Sequence, residues 1–115
     1  MAYKKIKKGK TKKVSLRKLI SDAYPDEKIV FFDGFDDAIL GIDDEEMRII
    51  YSVKKAISII YKDTPLKKSD LTKEEIEEGV TVRGKRMEMT IDHFEFNVRG
   101  TKCEGCPIWL TNDFE

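Results

Sequence analysis

Nine positive charges and no negative one stand in the first 21 residues of this 115-residue chain: Lys4, Lys5, Lys7, Lys8, Lys10, Lys12, Lys13, Arg17 and Lys18. Residues 1 to 13 also carry Gly9 and no periodic apolar face, so they are expected to form a basic, flexible arm and not part of a core. The fold must come from residues 14 to 115, enough for one modest core and a single domain. From residue 22 onward the chain holds 13 basic and 22 acidic side chains, so the overall neutrality hides an acidic body behind a basic end. One end should seek polyanions and the rest should repel them.

The longest apolar runs, Ile29 to Phe32 and Ala56 to Ile60, are far shorter than the ~20 residues of a membrane helix, and the basic start lacks the apolar stretch of a signal peptide. The expectation is a protein of the cytoplasm with no membrane partner. In a reducing compartment Cys103 and Cys106 are expected as free thiols.

Val14, Leu16, Leu19, Ile20 and Ala23 recur at near-helical spacing behind Ser15, a candidate N-cap, with Pro25 beyond the end. The period then changes. Ile29–Phe32 and Ala38–Ile42 read as two strands joined at Asp33-Gly34, and Met47–Tyr51 reads as a third after the acidic turn Asp43–Glu46. Ser52 precedes Val53, Ala56, Ile57 and Ile60, the spacing of a helix that covers the sheet. Residues 63–87 read as a variable insertion holding one short helix from Lys73 to Glu78, signalled by the capping-box pair Thr72 and Glu75. A stronger helix is expected from Met87 to Val98, with Met87, Ile91, Phe94 and Val98 on one face and Gly100 as its cap. Pro107–Thr111 closes the chain as an edge strand. The predicted class is α+β: a small antiparallel sheet of three to four strands packed by two main helices.

Three groups could carry chemistry. Asp33, Asp36 and Asp37 could hold a divalent cation, yet Asp-Gly is also a common tight turn and flanking aspartates solvate it. The pair in Cys103-Glu104-Gly105-Cys106 has zinc and redox readings, but with His93 it offers only three ligands, and it precedes a strand where redox pairs precede a helix. His93 itself has no identifiable nucleophile to serve and reads as a partly buried histidine bonded to the sheet, while the Asn97 amide reads as satisfying backbone near Gly100. No catalytic residue, metal or cofactor is expected from these patterns. The nine basic residues remain as the binding candidates, for nucleic acid or an acidic partner surface, because clustered lysines neutralise phosphates without reading bases.

The series Asp33-Gly34-Phe35-Asp36-Asp37-Ala38-Ile39-Leu40-Gly41, Tyr51-Ser52, Phe94-Glu95-Phe96-Asn97-Val98 with Gly100, and Pro107-Ile108-Trp109 resembles a family of small uncharacterised bacteriophage and prophage proteins. Its pattern is D-G-x-D-x-A-I-[IL]-G followed by F-E-[FY]-N-x-x-G. The basic arm, the longer 63–87 connection and the cysteine pair depart from it. The resemblance implies a non-enzymatic phage protein that binds and inhibits or redirects a host component, such as an antiviral defence complex, in the host cytoplasm. An accessory nucleic-acid-binding protein using the arm is the alternative, and a metal-dependent nuclease using the hairpin aspartates is a weaker one.

Overall fold

The computed structural model describes residues 15–111. Lys4, Lys5, Lys7, Lys8, Lys10, Lys12 and Lys13, and with them the expected arm, lie outside the described residues. Within those residues the fold is α+β, with helices packed around a three-stranded sheet of order β1-β2-β3.

Helix α1 (Leu16–Ala23) begins where Ser15 Oγ accepts the Lys18 N–H at 3.1 Å, satisfying a donor that the first turn leaves open. Its buried side chain is Ile20, and the helix lies against β1 (Ile39–Asp43). Strand β2 (Arg48–Ser52) pairs antiparallel with β1 across the acidic turn. This is the second of the two hairpins the sequence suggested; the first does not form. Ile29–Phe32 forms no strand; Phe32 packs over the sheet face, its ring centroid 5.9 Å from that of Trp109. Its backbone is tied by the Phe32 N–H donating to Tyr51 Oη at 2.8 Å. Asp33-Gly34 does turn the chain, with Gly34 left-handed at φ 93° and the Phe35 N–H reaching Phe32 O, but it leads through a 3₁₀ turn, Asp36–Ala38, into β1.

Ser52 Oγ caps helix α2 (Val53–Lys62) by accepting the Lys55 N–H at 3.1 Å. In α3 (Lys73–Glu77) the capping box is complete: Glu75 N–H donates to Thr72 Oγ1 at 3.1 Å and Thr72 N–H to Glu75 Oε1 at 2.8 Å. Helix α4 (Val82–His93) starts well before Met87, inside the expected insertion, because Thr81 Oγ1 accepts the Gly84 N–H and so makes Gly84 a first-turn residue, not a breaker. It continues as a π-helical turn, Phe94–Arg99, capped by Gly100. The buried stripe of this helix is Thr90, Phe94 and Val98, whereas Met87 and Ile91 stay exposed. Thr90 tolerates burial because its hydroxyl donates to Arg86 O at 2.8 Å.

Strand β3 (Ile108–Leu110) lies parallel to β2, with Tyr51 opposite Trp109. The sheet is thus mixed and not antiparallel throughout. A parallel neighbour requires a long crossover, and the helices between Val53 and Arg99 supply it. The core gathers on Trp109, whose ring stacks on Tyr51 at 5.0 Å and meets Phe94 edge-on at 5.1 Å and Phe35 edge-on at 6.2 Å. Ile49, Tyr51, Ala56 and Phe94 are fully buried beside it.

Candidate functional site

Three helical and turn elements meet at a cleft of about 640 Å³ lined by Phe35, Ile59, Ile60 and Met89, with Asp33, Asp63 and His93 also in its wall. Its walls follow from local structure. The Asp33-Gly34 turn forms one side, the C-terminal end of α2 a second, and α4 the third. Arg86 joins the last two by donating Nε–H and Nη2–H to Tyr61 O at 3.0 and 2.7 Å, a carbonyl that also accepts the Thr64 N–H at 3.2 Å, while its guanidinium lies 4.1 Å over the Tyr61 ring.

The sequence candidates separate here. Arg17 donates to Asp33 at 3.1 Å and to Asp36 at 3.3 Å, and its guanidinium lies 4.6 Å over the Phe31 ring. The Asp33 hydrogen bond raises the Arg17 pKa above its ordinary value, partly offset by burial. Lys18 pairs with Asp22 at 3.1 Å along α1. Arg17 therefore braces the Asp33 turn, Lys18 stays on the surface in a one-turn pair, and Asp33 and Asp36 already hold a guanidinium where a cation was considered. Among the described residues no group of three or more His, Cys, Asp and Glu side chains could hold a metal ion.

His93 is exposed and not bonded to the sheet: its Nδ1 lies 3.2 Å from Asn97 Nδ2, one helical turn on, so the Asn97 amide meets a side chain and not the backbone near Gly100. The Thr64 hydroxyl, the cleft's other polar wall group, donates to Ile60 O at 2.7 Å. Among the described residues lining the cleft with His93 there is no serine or cysteine, and the one hydroxyl, that of Thr64, is committed to Ile60 O. The cysteines are not free thiols; Cys103 and Cys106 form a disulfide across the turn before β3. Tyr51, which the sequence marked as the end of the third strand and as part of the motif series, is central: its hydroxyl anchors the Phe32 backbone, and burial raises its pKa above the ordinary phenol value.

The second surface feature is Phe96, 78% exposed, on the π-helical turn between the buried Phe94 and Val98. Gly100 closes that turn so tightly that a Cβ there would stand 2.8 Å from Glu95 O and 3.0 Å from Phe96 O. The exposed ring is thereby carried on backbone that the core fixes from both sides.

In comparisons with known proteins the chain matches no family model, no curated protein and no solved structure.

Proposed function

We propose that this chain is a non-enzymatic binding protein that acts by occupying a protein partner. The observation that carries the reading is Phe96. An aromatic ring 78% exposed on a core-anchored turn loses little conformational freedom on contact, and aromatic side chains concentrate at the centre of protein interfaces. π-helical turns also recur at functional sites. The candidate catalytic groups support it in turn, since Asp33 and Asp36 are engaged by Arg17 and His93 Nδ1 is paired with the Asn97 amide. In the phage setting that the sequence resembles, the partner is a host component such as a defence complex. The charge division of the chain favours a second reading, nucleic-acid contact through Lys4 to Lys13.

Capture from bacterial lysate by the tagged full chain, with and without nuclease, followed by titration of the purified partner, tests these readings. Binding should survive nuclease, saturate near equivalence and weaken at least about tenfold in Phe96→Ala, as for an interface anchor. Unchanged capture by that variant overturns the Phe96 reading. Loss of capture with nuclease replaces it with the nucleic-acid reading, and processing of excess target by trace protein replaces it with an enzyme.

A further inference from the structure

The Cys103–Cys106 disulfide spans a sequence separation of 3, and the stabilisation a cross-link provides grows with the loop it closes, so this one contributes less to the fold than a long-range bridge would. Backbone contacts already set the turn. The Cys106 N–H reaches Cys103 O at 3.3 Å, Gly105 supplies the left-handed residue at φ 75°, and β3 beyond is held by its ladder to β2 and by the rings around Trp109. Neither cysteine belongs to the core. They also differ: Cys103 is exposed, whereas Cys106 is half-buried and receives Arg48 Nε–H on its carbonyl at 2.8 Å. That bond brings a guanidinium from β2 up to Cys106, with Glu46 sharing its other end at 3.1 Å.

We propose that Cys103 and Cys106 are a redox-exchange site for low-molecular-weight thiols. Access directs an incoming thiolate to Cys103 Sγ; Cys106, whose Sγ lies 3.6 Å from Thr101 O and whose carbonyl holds the Arg48 guanidinium that Glu46 shares, departs as the thiolate. The new bond joins Cys103 to the external sulfur as the S–S bond breaks, and Cys106 then takes a proton. A second external thiolate attacks the external sulfur of that mixed disulfide, which releases the small-molecule disulfide and returns Cys103 as a thiol. Two external thiols are oxidised and supply the two electrons and two protons that the cysteine pair gains. The reverse sequence, with a small-molecule disulfide as oxidant, closes the pair again.

The test equilibrates the full chain in glutathione buffers of graded reduced-to-oxidised ratio, quenches with acid, alkylates and counts modified cysteines by mass, with circular dichroism on each sample. The pair should pass reversibly from no alkylated cysteines to two while the fold signal stays constant. Cys106→Ser should form a mixed disulfide at Cys103 about tenfold faster than Cys103→Ser forms one at Cys106. Arg48→Gln should move the midpoint toward more reducing buffers by about threefold or more, since the departing thiolate loses its cation. A disulfide that resists millimolar reduced glutathione, thiols that never pair, or loss of fold on reduction each overturns exchange. Equal rates in the two serine variants overturn the assigned order of attack, and an unmoved midpoint removes Arg48 from the site.

Discussion

Replacing Phe94 and Phe96 separately by alanine places two neighbouring, chemically identical side chains in opposite environments. Phe94 is fully buried and meets Trp109 edge-on, with centroids 5.1 Å apart, whereas Phe96 is 78% exposed. A buried phenylalanine removes on the order of 150 to 200 Å² from water, worth about 4 to 5 kcal/mol at 25 cal/mol/Å². The edge-on contact adds about 1 kcal/mol, and relaxation of the cavity returns part of the total, so Phe94→Ala should cost about 3 to 5 kcal/mol. Against a domain stability of roughly 5 to 15 kcal/mol, that removes a large share or unfolds the protein. Phe96→Ala should stay within about 0.5 kcal/mol. Urea unfolding followed by the fluorescence of Trp109, the chain's single tryptophan, measures both, and the Phe94 variant should also change the native emission because its ring touches the reporter. Equal costs at the two positions would refute the helix phase and, with it, the anchoring of the exposed ring.

Gly100→Ala separates two opposing effects. At φ −74° an alanine is conformationally allowed and would by itself stabilise by about 0.4 to 1 kcal/mol, but its Cβ would meet two backbone carbonyls, at 2.8 and 3.0 Å. Backbone cannot swing aside as a side-chain end can, so overpacking should win by about 1 to 3 kcal/mol, while Gly41→Ala, with open space around the new methyl, should stay near neutral in the same thermal melts. Tyr51→Phe should cost about 1 to 3 kcal/mol at neutral pH by leaving the Phe32 N–H without its acceptor. Because burial raises the Tyr51 pKa in the folded state, the unfolded phenol ionises first. The stability that the neutral phenol contributes is complete below about pH 10 and is lost as pH rises through the folded value. The stability gap between wild type and the phenylalanine variant should therefore narrow in alkaline denaturation series; a constant gap would mean that the phenol titrates alike in both states.

The parts of the fold legible in the sequence are those specified within one turn of chain. Ser15, Ser52 and the Thr72/Glu75 pair each mark a helix start because a short side-chain oxygen three residues before an open N–H is itself the physical signal. Ile29–Phe32 shows the limit. Branched and aromatic residues in a run suit a ladder and a packed aromatic layer equally well, and the choice was made by Trp109, far along the chain. The direction of β3 was hidden for the same reason, since three apolar residues after a proline fit a parallel or an antiparallel neighbour and only the crossover decides. The π-helical turn left a readable trace in Gly100, a glycine with ordinary φ whose missing Cβ is explained by the carbonyls it faces.

Charge illustrates why the site was less legible than the helices. Counted along the chain, Arg17 and Lys18 join seven lysines in one basic set; in space, Arg17 joins Asp33, Asp36 and Phe31, and Lys18 joins Asp22. A guanidinium can serve two carboxylates and a ring face at once because its donors and its flat faces are separate resources. The same residue type that suggested phosphate binding therefore suits the junction of α1 with the Asp33 turn. Asp33 reaches from that junction to the wall of the cleft, so two of the three carboxylates suggested as a metal site, Asp33 and Asp36, instead position a turn. Proximity in sequence reported the charges; which of them neutralise one another depended on the aromatic packing that carries residues 29–35 across the sheet.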